Sequence, residues 1–166
     1  MTPRATTRVT HAGVTATIVT GSRAVRWLRH VSPRTGAFVL FSTIRFARSV
    51  RAALDGAVLE ADRRARVQAF ATLLAHEWAH VQQFSRLGWT FLPRWGWQVI
   101  AGLWRELTWT ARPLPWWERP FAVLTRCAKF PQRARAAYKK APLEVEADTY
   151  AALNWRAFQA IVEDLP

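Results

Sequence analysis

The chain has 166 residues, 51% of them hydrophobic, which is enough for a single domain that buries a core without disulfide bonds. Its one cysteine, Cys127, excludes an internal disulfide and a cysteine-rich zinc module. A formal net charge of +13 suits nucleic acid, an anionic membrane surface or an acidic protein, but such a charge also occurs in arginine-rich proteins that have no polyanionic partner, and this second interpretation is favoured. Nucleic acid is a less favoured partner, because no recognised nucleic-acid-binding motif accompanies the charge.

The N-terminal residues are basic, but threonines interrupt the segment after them, so it lacks the apolar run of a signal peptide. The most apolar later stretch, residues 87–104, is interrupted by Pro93, Arg94 and Gln98. A membrane-spanning helix needs about 20 predominantly apolar residues, so none is expected here. We therefore expect a cytoplasmic protein, with export by a non-classical route left open.

Two segments in the first third of the chain, residues 14–20 and 37–46, are rich in β-branched and aromatic residues. The turn signal Ser-Pro-Arg-Thr-Gly occupies residues 32–36, ahead of the second segment. We predict that residues 1–61 form a strand-rich part with a small β-sheet.

A long helix is predicted over residues 62–88, because no glycine or proline occurs between Asp62 and Leu87. Asp62 is placed to cap its start, and Gly88 stands where a C-terminal glycine belongs. At about 100° per residue one face forms a core stripe, whose members are Val67, Phe70, Ala71, Leu74, Trp78 and Val81. His76 and His80 lie on nearly the opposite side, so both sides of the helix are expected to be covered.

Residues 89–141 form a tryptophan- and arginine-rich insert, with one or two short helices expected at about 93–108. Its aromatic rings could stack on bases or lie at a bilayer interface, but packing as core is the favoured interpretation. A final helix is predicted over residues 142–163, with Pro142 in its first turn. The predicted fold is thus α+β in a single domain, with a short N-terminal β-sheet, a long helix and a mainly helical C-terminal half.

The segment His76-Glu77-Trp78-Ala79-His80 carries the clearest chemical signal. Histidines four residues apart on a helix can reach one zinc ion, and the intervening glutamate can hydrogen-bond a metal-bound water. Zinc lowers the pKa of that water to about 7, so Glu77 can act as general base and then protonate the leaving amine. Two core or surface histidines are the less favoured interpretation.

A catalytic zinc ion usually has a third protein ligand, and no histidine follows His80. That ligand must therefore be acidic, or Cys127. Glu144, Glu146 and Asp148 stand together at the start of the last helix, where acidic residues are also favourable for the helix dipole alone. Glu144 and Asp148 share a face, so Glu144 can ligate zinc while Asp148 accepts the free ring N–H of a ligand histidine.

Residues 73–84, Leu-Leu-Ala-His-Glu-Trp-Ala-His-Val-Gln-Gln-Phe, and the later proline-led Glu144-x-x-Ala147-Asp148 resemble the gluzincin metallopeptidases. They are especially similar to small bacterial domains with a HELxHVxQ helix and a PxExEA motif. The resemblance implies a small zincin-like domain with a short sheet, an active-site helix and a glutamate-bearing helix.

Carried over to this chain, the resemblance implies zinc ligation by His76, His80 and Glu144, with Glu77 as base and Asp148 beside a ligand histidine. The sequence departs from the family pattern in the bulk of Trp78 and in the tryptophan-rich insert.

No downstream histidine is present to stabilise an oxyanion, and Tyr138 is the best substitute. Tyr150 and Arg135 are weaker candidates, and Tyr138 could equally pack against helices. The segment at residues 37–46 could present an edge to which an extended peptide adds as a strand.

Three functions are compatible with these patterns. The first is a zinc endopeptidase, and the second is a non-catalytic zinc-stabilised module that binds nucleic acid, anionic lipid or a protein partner. The third, suggested by the resemblance, is a peptidase loaded as an effector into an injection-type machine. Glu77 distinguishes the first function from the second, since a structural zinc ion needs no base and usually has a fourth protein ligand.

Overall fold

The computed structural model describes residues 5–22, 25, 37–47, 49–108 and 136–166. The N-terminal third forms a four-stranded sheet of β1 (Ala5–His11), β2 (Val14–Thr20), β3 (Ala37–Leu40) and β4 (Thr43–Phe46). The strand order is β1-β2-β4-β3, with β2 and β4 parallel and both outer pairs antiparallel. β3 is therefore an edge strand and β4 an internal one.

The predicted strand at residues 14–20 is confirmed, whereas the segment 37–46 is two strands joined by the tight turn Phe41–Ser42. β1 was not predicted from the sequence. The turn between β1 and β2 consists of Ala12 and Gly13, which both have positive φ. This backbone conformation matches the right-handed twist of the strands that a two-residue hairpin joins.

Five α-helices have both ends in the described part of the chain: α1 (Val50–Asp55), α2 (Glu60–Leu87), α3 (Phe91–Thr108), α4 (Pro142–Asn154) and α5 (Gln159–Asp164). The long helix begins two residues before Asp62, so the predicted capping role of Asp62 is wrong. Asp62 instead lies in the first turn, where its charge complements the helix dipole. Gly88 has a φ of +56°, as a C-terminal glycine requires, and a short 3-10 segment Gly88–Thr90 follows.

The predicted last helix is interrupted, because α4 ends at Asn154 and a 3-10 segment, Trp155–Phe158, precedes α5. The α+β class is nevertheless confirmed. The chain divides into two compact units, one formed by residues 1–86 and 147–166 and the other by residues 87–146. The division falls inside α4, so this helix contributes residues to both units.

The core of the first unit joins the sheet, α2 and the C-terminal residues. α2 contributes the predicted stripe, and Trp78 is fully buried, with its ring against those of His11 and Phe158. Burying a tryptophan removes roughly 200 Å² from water, worth about 5 kcal/mol at 25 cal/mol/Å². Trp78, inside the histidine motif, therefore anchors one side of the helix to the core. His76 and His80 lie on the opposite side.

The second unit contains α3 and the start of α4. On its inner side, Gly102 lies against Ala137, and the main-chain N–H of Leu143 donates to Oε1 of Gln98 at 3.3 Å. Within the described ranges, no helix is both long and apolar enough to cross a membrane. Cys127, Arg135 and the tryptophans at 109, 116 and 117 lie outside the described residues.

Candidate metal centre

The two motif histidines converge on one point beside α2. His76 and His80 are one helical turn apart, and their Nε2 atoms lie 3.2 Å from each other. The imidazole rings meet edge to face, with centroids 4.8 Å apart. The helical period accounts for this approach, because side chains at i and i+4 lie on the same face.

An oxygen acceptor holds the other nitrogen of each ring. Nδ1 of His80 is 2.8 Å from Oε1 of Gln83, and Nδ1 of His76 is 2.9 Å from Oδ1 of Asp148. Since both partners are oxygen atoms that accept, each Nδ1 carries the donating proton. The neutral form of each ring then has its lone pair on Nε2, as a metal ligand requires.

Two such lone pairs repel at 3.2 Å unless a cation lies between them or one ring takes up a second proton. Nitrogen atoms about 2.0–2.1 Å from a tetrahedral zinc ion lie about 3.3–3.4 Å apart. The observed separation of 3.2 Å agrees with that geometry to about 0.2 Å. The histidine pair and its two acceptors therefore fit a zinc ion.

Glu77 follows His76 directly, and it is buried, as His80 is. Burial of a carboxylate is costly unless opposite charge or hydrogen-bond donors compensate it. A cation held by the neighbouring imidazoles would supply part of that compensation. The position also suits a general base, which must lie within hydrogen-bond reach of the proton it takes.

In the second unit, Glu144 lies in the first turn of α4 and is only 2% exposed. The indole N–H of Trp95 donates to its Oε1 at 2.7 Å, a short bond typical of a charged acceptor. Glu146 is exposed, on a different side of α4, whereas Glu144 and Asp148 are one turn apart. His76, His80 and Glu144 each offer an atom that can bind a metal ion.

Tyr138, the predicted oxyanion donor, lies in the helical residues 136–139 and is 37% exposed. Its ring meets that of Trp95 edge to face at 6.1 Å. The weaker candidate Tyr150 accepts a hydrogen bond from the side chain of Gln82 at 3.3 Å and packs on Phe158. The catalytic role of Tyr138 stays a prediction.

Sequence reasoning assigned no role to two residues that contact the proposed ligands, Gln83 and Trp95. Gln83 could have been found, because a side chain three residues after His80 lies on the same side of the helix. Nothing in the sequence singles out Trp95 among the tryptophans of the insert.

A cavity of about 300 Å³ lies in the first unit, beside the C-terminal half of α2. Phe84, one turn after His80, lines it and meets the ring of Phe41 edge to face at 5.1 Å. Phe41 has a φ of +55°, an uncommon conformation for a bulky residue. The strained turn thus holds an aromatic ring at a cavity beside the helix that carries the histidine pair.

Comparisons of the chain with models of known protein families, with curated proteins and with solved structures give no match. The side chains of the candidate metal centre are therefore the basis on which a function can be assigned.

Proposed function

We propose that the protein is a zinc-dependent metallopeptidase in which His76, His80 and Glu144 hold the metal ion and Glu77 is the general base. The observation that carries the proposal is the histidine pair, with Nε2 atoms 3.2 Å apart and each Nδ1 held by an oxygen acceptor. This arrangement orients the Nε2 lone pairs of both histidines for metal binding. Packing of two histidines in a core does not require it.

The proposed third ligand follows from the continuity of α4. Asp148 on this helix contacts His76, and Glu144 lies one turn earlier on the same face. Its carboxylate is buried, and Oε1 accepts a hydrogen bond from the indole N–H of Trp95, so the side chain is held in one orientation as a proposed metal ligand. The set of two histidines and one glutamate is a known ligand set for catalytic zinc with an open fourth position.

A bound zinc ion would supply a Lewis acid that polarises a peptide carbonyl and lowers the pKa of water. Glu77 would take a proton from the attacking water and deliver it to the leaving amine. Gln83 and Asp148 would keep both ligand histidines in the required tautomer. Tyr138 is proposed to donate to the developing negative charge on the carbonyl oxygen.

Two features support a peptide as the substrate. The edge strand β3 can pair with an extended chain through its main-chain groups. The cavity beside Phe84 can take a substrate side chain, because its lining includes the apolar residues Phe41 and Val81. A cytoplasmic location is part of this proposal and rests on the sequence.

The metal ligands are tested by measuring zinc per chain in the wild type, Glu144→Gln and Glu146→Gln. We expect about one zinc ion per chain in the wild type and in Glu146→Gln, and a marked loss in Glu144→Gln. Stoichiometric zinc in Glu144→Gln together with loss in Glu146→Gln would refute the ligand assignment.

Catalysis is tested by incubating the zinc-loaded protein with a peptide library and identifying the cleaved bonds by mass spectrometry. Glu77→Gln should retain zinc and lose all cleavage, including self-cleavage, because the amide cannot take the proton. Cleavage that persists undiminished in Glu77→Gln would contradict the proposed role of this residue. If zinc stabilises the protein and no bond is cleaved in any mixture, the non-catalytic zinc module becomes the better explanation.

A further inference from the structure

The outward side of α3 carries large apolar side chains that are exposed. Trp97 is 70% exposed, Trp104 is 69% exposed and Ile100 is 60% exposed. We name these three residues the outer stripe. The prediction that the tryptophans of the insert pack as core is therefore wrong for Trp97 and Trp104, as it is for Trp89, which is 77% exposed. The exposure of the outer stripe needs a physical reason.

The outer stripe is continuous along the helix. At about 100° per residue its three members fall within about 60° of arc, over two turns. Their exposed area adds up to roughly 400 Å², similar to the largest apolar patch on a typical monomer, which is often functional. The opposite side of the same helix packs inside the second unit, where Gln98 contacts Leu143 and Gly102 contacts Ala137.

Two arginines accompany the stripe. Arg94 and Arg105 are exposed, and at about 100° per residue they lie within about 20° of each other, beside the tryptophans. The chain as a whole carries a formal net charge of +13. An exposed row of tryptophan and isoleucine bordered by arginines is typical of a helix that lies in the interface of an anionic bilayer.

Other occupants fit this surface less well. A second copy of the chain would bring like charges together, because each copy presents the same two arginines beside the stripe. Nucleic acid would gain from the arginines but would leave Ile100 without an apolar contact. An acidic protein could match the charge, whereas tryptophan is the side chain that most favours the boundary between lipid and water.

We propose that α3 is a membrane-binding element that lays the outer stripe into the headgroup region of an anionic lipid surface while Arg94 and Arg105 contact lipid phosphates. The helix is proposed to lie along the surface and not to cross it, because Arg94, Gln98 and Arg105 interrupt its apolar residues. Membrane binding in this mode is independent of the proposed zinc site.

The test is sedimentation of the full-length protein with vesicles of phosphatidylcholine alone or with about one third phosphatidylglycerol, at two salt concentrations. We expect at least about tenfold stronger binding to the anionic vesicles, decreasing with salt. Trp97→Gln with Trp104→Gln should weaken that binding at least about tenfold, since each removes a large apolar side chain from the lipid boundary. Leu153→Gln is the matched control, because Leu153 is 78% exposed on a different helix, α4, and is not a member of the stripe, so this variant should bind as the wild type does.

Equal vesicle binding by the double tryptophan variant and the Leu153 control would overturn the proposal. It would also be overturned if sedimentation velocity showed a dimer of the wild type that the double variant dissolves, with no vesicle binding by either. Binding to soluble polyglutamate as tight as that to anionic vesicles, and equally sensitive to the tryptophan variants, would replace the membrane by an acidic protein partner. Arg94→Gln with Arg105→Gln should lose the preference for phosphatidylglycerol and retain any binding to phosphatidylcholine.

Discussion

Removal of the Gln83 side-chain acceptor gives the sharpest test of the histidine pair. Gln83 is buried, and its Oε1 lies 2.8 Å from Nδ1 of His80. In Gln83→Leu the ring N–H loses this acceptor, and His80 can place its proton on Nε2 instead. That tautomer has no lone pair for the metal, so we expect zinc affinity to fall about 10–100-fold, or about 1.4–2.7 kcal/mol.

The neighbouring residue supplies the control. Gln82 has the same side chain, but it donates to the hydroxyl group of Tyr150, so Gln82→Leu should leave the zinc affinity unchanged. Gln83→Glu retains an oxygen acceptor and should bind zinc at least as tightly as the wild type at about pH 8, where histidine is ordinarily neutral. The dissociation constants are measured by competition with a fluorescent chelator, after circular dichroism has verified folding. If Gln83→Leu and Gln82→Leu weakened zinc binding equally, the tautomer argument would be refuted.

Three further predictions concern single side chains. Trp95→Phe removes the hydrogen-bond donor to Glu144, so we expect the free energy of unfolding to fall by about 1.5–3 kcal/mol and the zinc affinity to fall about tenfold. Trp97→Phe is the control, because Trp97 is exposed and its replacement should change neither quantity. Identical denaturation curves and zinc titrations for these two variants would contradict the role of the indole. Trp78→Ala should cost about 3–5 kcal/mol by chemical denaturation, because it opens a cavity in the core, and a cost below about 1 kcal/mol would show that this ring does not anchor the helix. Ala12→Gly should raise stability by about 0.5–1 kcal/mol, because Ala12 has a φ of +48° and relief of about 1–2 kcal/mol exceeds the flexibility cost of glycine. A lower melting temperature in Ala12→Gly would show that the turn is not strained.

The burial of Trp78 shows how far a local pattern can be used. Its place in the core stripe follows from the helical period, and the structure confirms it. The indole Nε1 has no hydrogen-bond acceptor among the described residues, a detail that no periodicity indicates. The helical period predicts on which side of the helix a residue lies. The residues that it contacts there belong to other segments of the chain.

The strands were predicted less completely. Residues 14–20 show the density of β-branched residues that favours a strand, and β2 has those bounds. In β1, partly buried residues alternate with exposed ones, as in an edge strand. It was not predicted, because its threonines and arginine make the segment polar. The turn at Phe41 was missed because a phenylalanine with positive φ carries no turn signal.

The sequence by itself determined that His76 and His80 share one side of a helix, because the spacing of four residues and the backbone hydrogen bonds of an α-helix leave no other arrangement. The sequence also predicted Asp148 as the acceptor for a ligand histidine. Only the tertiary structure decided that Asp148 holds His76 and that Gln83 holds His80. It also decided that Trp95 binds Glu144 while Trp97, two residues later, faces solvent. Local geometry depends on neighbours in sequence, whereas burial and pairing depend on which surfaces the folded chain brings together.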